Sequence, residues 1–177
     1  MTPDQYHTLN VAAMADQGAA DFIATGEDQS LADWLNTPDA FVVWKSSVPV
    51  ADVFDAVLWA NMTPAIAPDD TQLWTNRNLQ CQSKQLQLQT FLIGRETLNP
   101  SKSNIRAGMQ DALTNLPSKA DGTNQNAGWT AVLALFKRTT TRAEMILASG
   151  TGTDATPGLL GWEGLFDAAS ASTVRVS

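Results

Sequence analysis

The sequence predicts a mainly α-helical protein: a helical bundle with a long central helix and an extended C-terminal tail that contains a short strand. Apolar residues recur at helical spacing through most of the first 150 residues. Capping residues and Gly or Pro stops bound these segments. Residues 151–177 hold too few large apolar residues to fix a fold alone. We therefore expect a bundle domain over 1–150, with acidic helices in 1–40, and an extended arm over 151–177.

Three short helices are predicted in the first forty residues. The first begins near Asp4 and repeats its apolar residues at near-helical spacing: Tyr6, Leu9, Ala13 and Met14. The second covers 18–26 and ends at a glycine. The third covers 30–38, with Ser30 as its N-cap and Pro38 as its stop.

An extended segment and a further helix follow. Val42, Val43 and Trp44 favour a strand, which Pro49 ends. The next helix starts at residue 50 and places five apolar residues on one face: Val50, Val53, Phe54, Val57 and Leu58.

The stretch "NRNLQCQSKQLQLQTFLIGR" is predicted to be the long central helix. Asp69 and Gln72 form a capping box before it, and Gly94 stops it. At about 100° per residue it carries two apolar stripes, one of Trp74, Cys81, Leu88 and Leu92 and the other of Leu79, Leu86 and Ile93. A helix with two such stripes touches neighbours on both sides, so the second stripe is the candidate contact with another subunit. Gln82, Gln85 and Gln89 lie between the stripes, either as amides that cross-link helices or copies or as solvated spacers.

The remaining helices are predicted from local caps. Ser101 or Ser103 caps a helix that Pro117 closes, with its apolar face formed by Ile105, Met109, Leu113 and Leu116. A polar loop leads to a helix over 129–139. Thr141 and Glu144 form a capping box for a last helix. In the arm, "LLGWEGLF" is predicted to be a short strand.

The charge is unevenly distributed along the chain. Residues 1–70 hold eleven carboxylates and one base, whereas residues 71–177 hold seven carboxylates and ten bases. A net charge of −7 with scattered bases offers no phosphate-binding footprint, so tight DNA binding is not expected. The alternatives are a contact between acidic and basic halves of neighbouring copies, an acidic surface past which DNA slides, or ordinary solubility.

No catalytic, cofactor or metal site is predicted, and we expect no enzymatic activity. His7 is the single histidine and Cys81 the single cysteine, so neither a triad nor a thiolate metal cluster can be assembled from clustered residues. Asp69 and Asp70 could be a pair of metal ligands, but the neighbouring sequence offers no third or fourth oxygen ligand. Helix capping explains Asp69 better. The tryptophans lack adjacent bases and favour core or interface roles over stacking on bases or sugars. No apolar run is long enough for a membrane span, and the stretch "MTPDQYHTLN" lacks the basic cluster and apolar segment of a secretory signal, so we expect a cytoplasmic origin.

Six stretches within 41–164 form a common pattern: "FVVWKSSVP", "LWANMTP", "NRNLQCQSKQLQLQTFLIGRETLNPSKSNIRAGMQDALTNLPS", "AGW", "TTRAEMILASGTGT" and "PGLLGWEG". Together they resemble a family encoded in the structural gene blocks of tailed bacteriophages, near the major capsid and head-to-tail joining genes. The resemblance implies a head-completion or head-to-tail adaptor (connector) protein of the virion. Such a protein forms a ring of about twelve copies that docks on the portal and joins it to a tail or nozzle protein after assembly in the host cytoplasm.

This role assigns partners to particular residues. A strand in the arm would add to a partner's sheet edge, and the portal or a neighbouring subunit would contact Leu159, Leu160, Trp162, Leu165 and Phe166, with Trp162 and Phe166 as anchors. Subunit contacts would use Leu79, Leu86, Ile93, Gln82, Gln85 and Gln89. The acidic first third suits a channel wall that DNA passes without specific binding. A minor capsid or decoration protein, present in hundreds of copies, is the alternative.

Overall fold

The computed structural model describes residues 1–65, 74–121 and 123–177, and within these ranges the chain is mainly α-helical, as predicted. In chain order the elements are α1 Pro3–Ala15, α2 Gln17–Thr25, α3 Asp28–Leu35, β1 Pro38–Trp44, β2 Val48–Pro49, α4 Val50–Ala56, a 3-10 helix Trp59–Met62, α5 Trp74–Leu92, β3 Thr97–Leu98, α6 Ser103–Leu113, α7 Trp129–Leu135, β4 Lys137–Thr141, α8 Arg142–Leu147 and α9 Ala168–Arg175. The capping box predicted at 69–72 lies outside the described residues.

The chain divides into two compact units. Unit 1 joins the two ends of the chain, Met1–Trp44 and Lys137–Ser177, and unit 2 is the continuous stretch Lys45–Phe136. The predicted division at residue 150 is therefore wrong. A boundary drawn from local composition misses this division, because the two parts of unit 1 are far apart in sequence and come together only in the folded chain.

The three acidic helices predicted at the N-terminus are present in unit 1. Thr2 and Gln5 form a capping box at the start of α1. Gly26 ends α2 in the left-handed region at φ 73°. The third helix starts two residues before Ser30, and its N-cap position makes no side-chain hydrogen bond, so the prediction of Ser30 as N-cap is wrong.

The segment after α7 is a strand rather than the predicted continuation of a helix to residue 139. β4 pairs antiparallel with β1, with Thr139 opposite Val42 and Lys137 opposite Trp44. The β-branched threonines of β4 favour the extended backbone once a partner strand is available. β1 itself was predicted as an extended segment. The capping box predicted for α8 is also present, with Thr141 and Glu144 bonding each other's backbone N–H groups.

The predicted extended arm is instead part of the core of unit 1. Phe166, Ala171 and Val174 are buried in one cluster with residues of α1 and α3, and α9 packs against both helices. The predicted strand over 159–166 is absent among the described residues: Leu159 forms a single antiparallel bridge with Ser149, and α9 follows instead. Small residues allow α9 to pack closely although its own sequence is only weakly apolar.

The longest described helix of unit 2 is α5, with 19 residues. This helix packs against α6 and the 3-10 helix, α4 packs against α7, and the short strands β2 and β3 pair antiparallel. α6 ends earlier than predicted, at Leu113, but Leu116 is still buried and exchanges two backbone hydrogen bonds with Gln125. No side chain caps α6, so the predicted cap at Ser101 or Ser103 is wrong.

Candidate functional site

One side of α5 is covered by its own unit, and the opposite side is exposed. Cys81, Leu88 and Leu92 are buried in unit 2, as one predicted stripe requires, whereas Trp74, the fourth residue of that stripe, is 40% exposed. The other stripe is exposed by 58% at Leu79, 64% at Leu86 and 73% at Ile93. Ile93 follows the last residue of α5 and continues its geometry, because its N–H donates to the Gln89 carbonyl at 2.8 Å. We call Leu79, Gln82, Leu86, Gln89 and Ile93 the α5 outer face.

The apolar residues of the α5 outer face are seven positions apart. A seven-residue repeat drifts by only about 20° per heptad on a straight helix, so the three side chains form one nearly axial row. Exposed apolar rows of this kind are typical of helices that pack against a partner. The row was predicted as a subunit contact, and that role stays a prediction.

The three glutamines assigned to the same contact differ in position. Gln82 and Gln89 are exposed on the α5 outer face. Gln85 is half-buried, and its side-chain amide donates to the Met62 carbonyl at 2.8 Å. Gln85 therefore joins α5 to the 3-10 helix within the chain, which corrects its assignment to a subunit contact.

Both cations of α5 are engaged on the covered side, which leaves the α5 outer face without charge. Lys84 forms an ion pair of 2.7 Å with Asp111 of α6. The guanidinium of Arg77 is buried and donates to the carbonyls of Pro117, Lys119 and Ala65 at 3.3, 2.8 and 2.8 Å. The periodicity of the sequence does not reveal this role of Arg77, because its carbonyl partners come from two distant loops.

A second apolar surface of unit 2 was not predicted. The sequence placed Phe54 and Leu58 on the buried face of α4, but only Val53 and Val57 are buried, while Phe54 is 50% and Leu58 55% exposed. The helix ends at Ala56, so Leu58 no longer follows its periodicity. Trp59 packs against Phe54 with 4.5 Å between ring centroids and 43° between ring planes, and its indole N–H donates to the Phe54 carbonyl at 3.1 Å. We call Phe54, Leu58 and Trp59 the Phe54 patch.

A recess of about 270 Å³ adjoins the Phe54 patch. It is lined by Leu58, Trp129 and small or polar residues, among them Ala56 and Gly128. The close approach of the α7 N-terminus to α4 shapes it, since a Cβ atom at Gly128 would lie 2.4 Å from the Ala56 carbonyl oxygen.

The residues predicted to bind the portal or a neighbouring subunit through the arm divide into two groups. Phe166 is 5% exposed and belongs to the core of unit 1, so the prediction that it anchors a partner is wrong. Trp162 is half-buried and packs against Phe166 within the chain, with 4.9 Å between ring centroids and 54° between ring planes. Leu159 and Leu165 are exposed by 45% and 75%, and Leu160 is half-buried.

A buried carboxylate, that of Glu144, is the main electrostatic feature of unit 1. Arg138 bonds both of its oxygens, and the backbone N–H groups of Thr141 and Gly164 donate to it. Burial alone raises the pKa of Glu144, but these hydrogen bonds outweigh burial and hold the pKa below its usual value of 4.5. Arg138 also pairs with Glu163 at 2.9 Å. The arrangement is a satisfied structural network that joins β4, α8 and the segment before α9.

The residues considered for catalysis or metal binding are not brought together in the part of the chain that the structure describes. No three His, Cys, Asp or Glu side chains there are close enough to hold a metal ion. His7 contacts the Ser177 carbonyl through Nδ1 at 3.2 Å. Burial raises the pKa of the Cys81 thiol. Asp69 and Asp70 lie outside the described residues. Over the same ranges, no helix combines the length and apolarity needed to cross a membrane.

Comparison of the chain with protein-family models, with curated proteins and with solved structures finds no match.

Proposed function

We propose that this protein is a virion structural protein of a tailed bacteriophage that forms a ring on the portal and joins the head to the tail. The observation that carries the proposal is the α5 outer face, an uncharged row of three large apolar side chains that unit 2 leaves exposed. Assembly covers such a row, and a ring of identical copies covers it in every subunit at once. The resemblance of residues 41–164 to phage structural proteins supplies the kind of assembly.

In this proposal α5 becomes the central helix of a bundle only after assembly. Its covered side packs within unit 2, and its outer face packs against a neighbouring copy. Of the five arm residues assigned to the portal contact, Leu159 and Leu165 are exposed and remain available to the portal. The role involves recognition and joining, with no substrate transformed.

The acidic first part of the chain is proposed to face the passing DNA. Carboxylates repel phosphate, so a wall that carries them lets DNA move without being held. A density map of the intact particle tests this placement. Residues 1–40 on the outer rim of the ring, away from the channel, would contradict it.

The copy number in purified particles tests the proposed function itself. Quantitative mass spectrometry against the major capsid protein is expected to give about twelve copies per particle, the number of a portal-bound ring. Hundreds of copies would instead indicate a decoration protein on the capsid lattice. Removal of the gene is expected to leave DNA-filled heads and separate tails. Finding the protein absent from particles would reject the proposal.

A further inference from the structure

The helix α9 docks on a surface that α1 and α3 form, and it packs against both of these helices. Ala171 and Val174, three residues apart on one side of α9, are fully buried in a cluster that includes Leu9 of α1 and Leu31 of α3. Apolar anchors one turn apart are the means by which a groove recognises an amphipathic helix. We call the surface of α1 and α3 beneath α9 the α9 site.

Two polar side chains of the α9 site hold the end of α9. The Asn10 amide of α1 donates to the carbonyls of Val174 and Arg175 at 2.9 and 3.2 Å. The carboxylate of Asp28 in α3 accepts from Nε of Arg175 at 2.7 Å, and both side chains are partly buried. The contacts to carbonyls bind the end of the helix, and the ion pair determines which residue lies there. The α9 site therefore recognises α9 by its charge as well as by its apolar anchors.

Apart from this docking, α9 has little to stabilise it. It contains eight residues, fewer than the roughly 12 that an isolated helix needs in water. In α9, which the structure describes in full, Val174 is the one buried side chain larger than alanine. A short helix with so little buried apolar surface belongs to the parts of a protein that open locally most readily.

One exposed residue, Asp167, joins α9 to the segment before it. Phe166 stays in the core of unit 1, where its N–H and its carbonyl bond the Asn36 side chain at 2.9 and 2.8 Å. Asp167 has an extended backbone with φ −102°, and its carboxylate caps α9 by accepting from the Ser170 N–H at 2.8 Å. Rotation at Asp167 therefore lets α9 leave its site while Phe166 keeps its place.

We propose that the α9 site of one copy binds α9 of a neighbouring copy, so that the two chains exchange this helix. Because all copies share one sequence, the contacts that hold α9 within its own chain also hold it in the other chain. Exchange of an identical element is a low-cost route to assembly. The inference deepens the proposed function, on which the role of exchange in a ring rests, whereas binding of α9 between chains is a property of the protein itself.

The competing arrangement is α9 that docks only in its own chain. A short linker gives the chain's own α9 an effective concentration in the millimolar range at its site. Native protein at micromolar concentration is therefore expected to hold its own α9, and exchange is expected to become visible when that internal contact is weakened. The experiments below use full-length variants for this reason.

A fluorescently labelled peptide of residues 166–177 tests binding between chains. Val174→Asp removes the anchor of the chain's own α9 and leaves the α9 site vacant. Val176→Asp is the matched control, because Val176 is 73% exposed and its replacement leaves α9 docked. Fluorescence anisotropy is expected to show that the Val174→Asp chain binds the peptide at least about tenfold more tightly than the native and control chains do. A peptide that itself carries Val174→Asp is expected not to bind.

Charge reversal tests the exchange between whole chains. Asp28→Arg and Arg175→Asp each place like charges at the contact between α9 and its site in every copy of that variant. In an equimolar mixture each variant supplies the charge that the other lacks, and exchange of α9 restores two ion pairs. Sedimentation velocity at about 100 µM is expected to show a one-to-one dimer in the mixture and monomers of either variant alone. A chain with both substitutions is expected to behave as the native protein.

Two results would overturn the inference. A Val174→Asp chain that is folded by circular dichroism and does not bind the native peptide shows that the site accepts α9 only within its own chain. Arg175→Asp replaces this variant if it does not fold. A mixture of charge-reversed chains that stays monomeric rejects exchange even if the peptide binds. Failed exchange with about twelve copies in particles rejects the inference alone, and successful exchange with none in particles rejects the proposed function alone.

Discussion

Arg138 bonds both carboxylate oxygens of Glu144, with Nη1 2.7 Å from Oε2 and Nη2 2.8 Å from Oε1. Glu144 is only 3% exposed. One carboxylate therefore joins β4 and the start of α8 to the segment before α9, because its remaining hydrogen bonds come from the backbone of Thr141 and Gly164.

Replacement of this carboxylate is expected to destabilise unit 1 strongly. Glu144→Ala removes the buried one of the two carboxylates that pair with Arg138 and the acceptor of two backbone N–H groups, and we expect a loss of about 2–4 kcal/mol in the free energy of unfolding. The lower part of the range for a buried pair applies because the Arg138 side chain is 26% exposed. Glu163→Ala is the control, since that side chain is 43% exposed and its loss should cost less than about 1 kcal/mol. Urea unfolding measures both, and equal losses would contradict the central role of Glu144.

The same carboxylate should make stability depend on pH in the acid range. The pKa of Glu144 is lower in the folded protein than its usual value of 4.5, so the unfolded chain binds the proton more readily. Stability from this group is therefore complete above about pH 4.5 and is lost as the pH falls through the lower folded pKa. Asp28, whose pKa is lowered chiefly by its hydrogen bond from Arg175, acts in the same direction. Urea midpoints of native protein and Glu144→Gln should converge as the pH falls, and a constant difference would exclude this linkage.

The C-terminal helix should be required for the stability of unit 1. Val174 is fully buried and Val176 is 73% exposed, although both are valines near the end of α9. We expect Val174→Ala to cost about 1–3 kcal/mol through lost burial and the cavity left behind, and Val176→Ala to cost less than about 0.5 kcal/mol. Thermal unfolding followed by circular dichroism compares them. Two equal and small effects would indicate that α9 is detached from the core.

The approach of α7 to α4 should tolerate no side chain at position 128. Gly128 has φ 88°, and a Cβ atom there would lie 2.4 Å from the Ala56 carbonyl oxygen. Gly26 has φ 73°, and a Cβ atom there would have no other atom within 4 Å. Gly26→Ala therefore measures the cost of the backbone strain without a steric contact. We expect Gly26→Ala to cost about 1 kcal/mol and Gly128→Ala at least about 3 kcal/mol. Urea unfolding gives both values, and similar costs would show that the contact with Ala56 is not constraining.

Local signals in the sequence predicted some elements well. The Thr141–Glu144 capping box is formed by residues three apart, so its signal is complete within α8 itself. The seven-residue spacing of Leu79, Leu86 and Ile93 likewise predicts the exposed row on α5. Periodicity along one helix is enough to identify such a row, although it does not identify the partner.

Elements that depend on distant residues were predicted poorly. β4 needs β1 as its partner, and Thr139 pairs with Val42 although the whole of unit 2 lies between them in the sequence. Phe166 and Val174 are buried by helices from the other end of the chain, so a local count of apolar residues underestimates how firmly this segment is held. Arg77 binds three carbonyl groups that only the folded loops bring together. In each case the stabilising partner is close in space and far in sequence.

The division of the chain has a consequence for its synthesis. Unit 2 is continuous, and its two ends meet where the Lys45 N–H donates to the Phe136 carbonyl at 2.9 Å. Unit 1 needs residues that the ribosome adds only after unit 2 has been translated, because Lys137–Ser177 supplies one strand of its sheet and the helix that completes its core. Unit 2 can thus fold during translation, whereas the core of α1 and α3 is completed only after α9 has been synthesised.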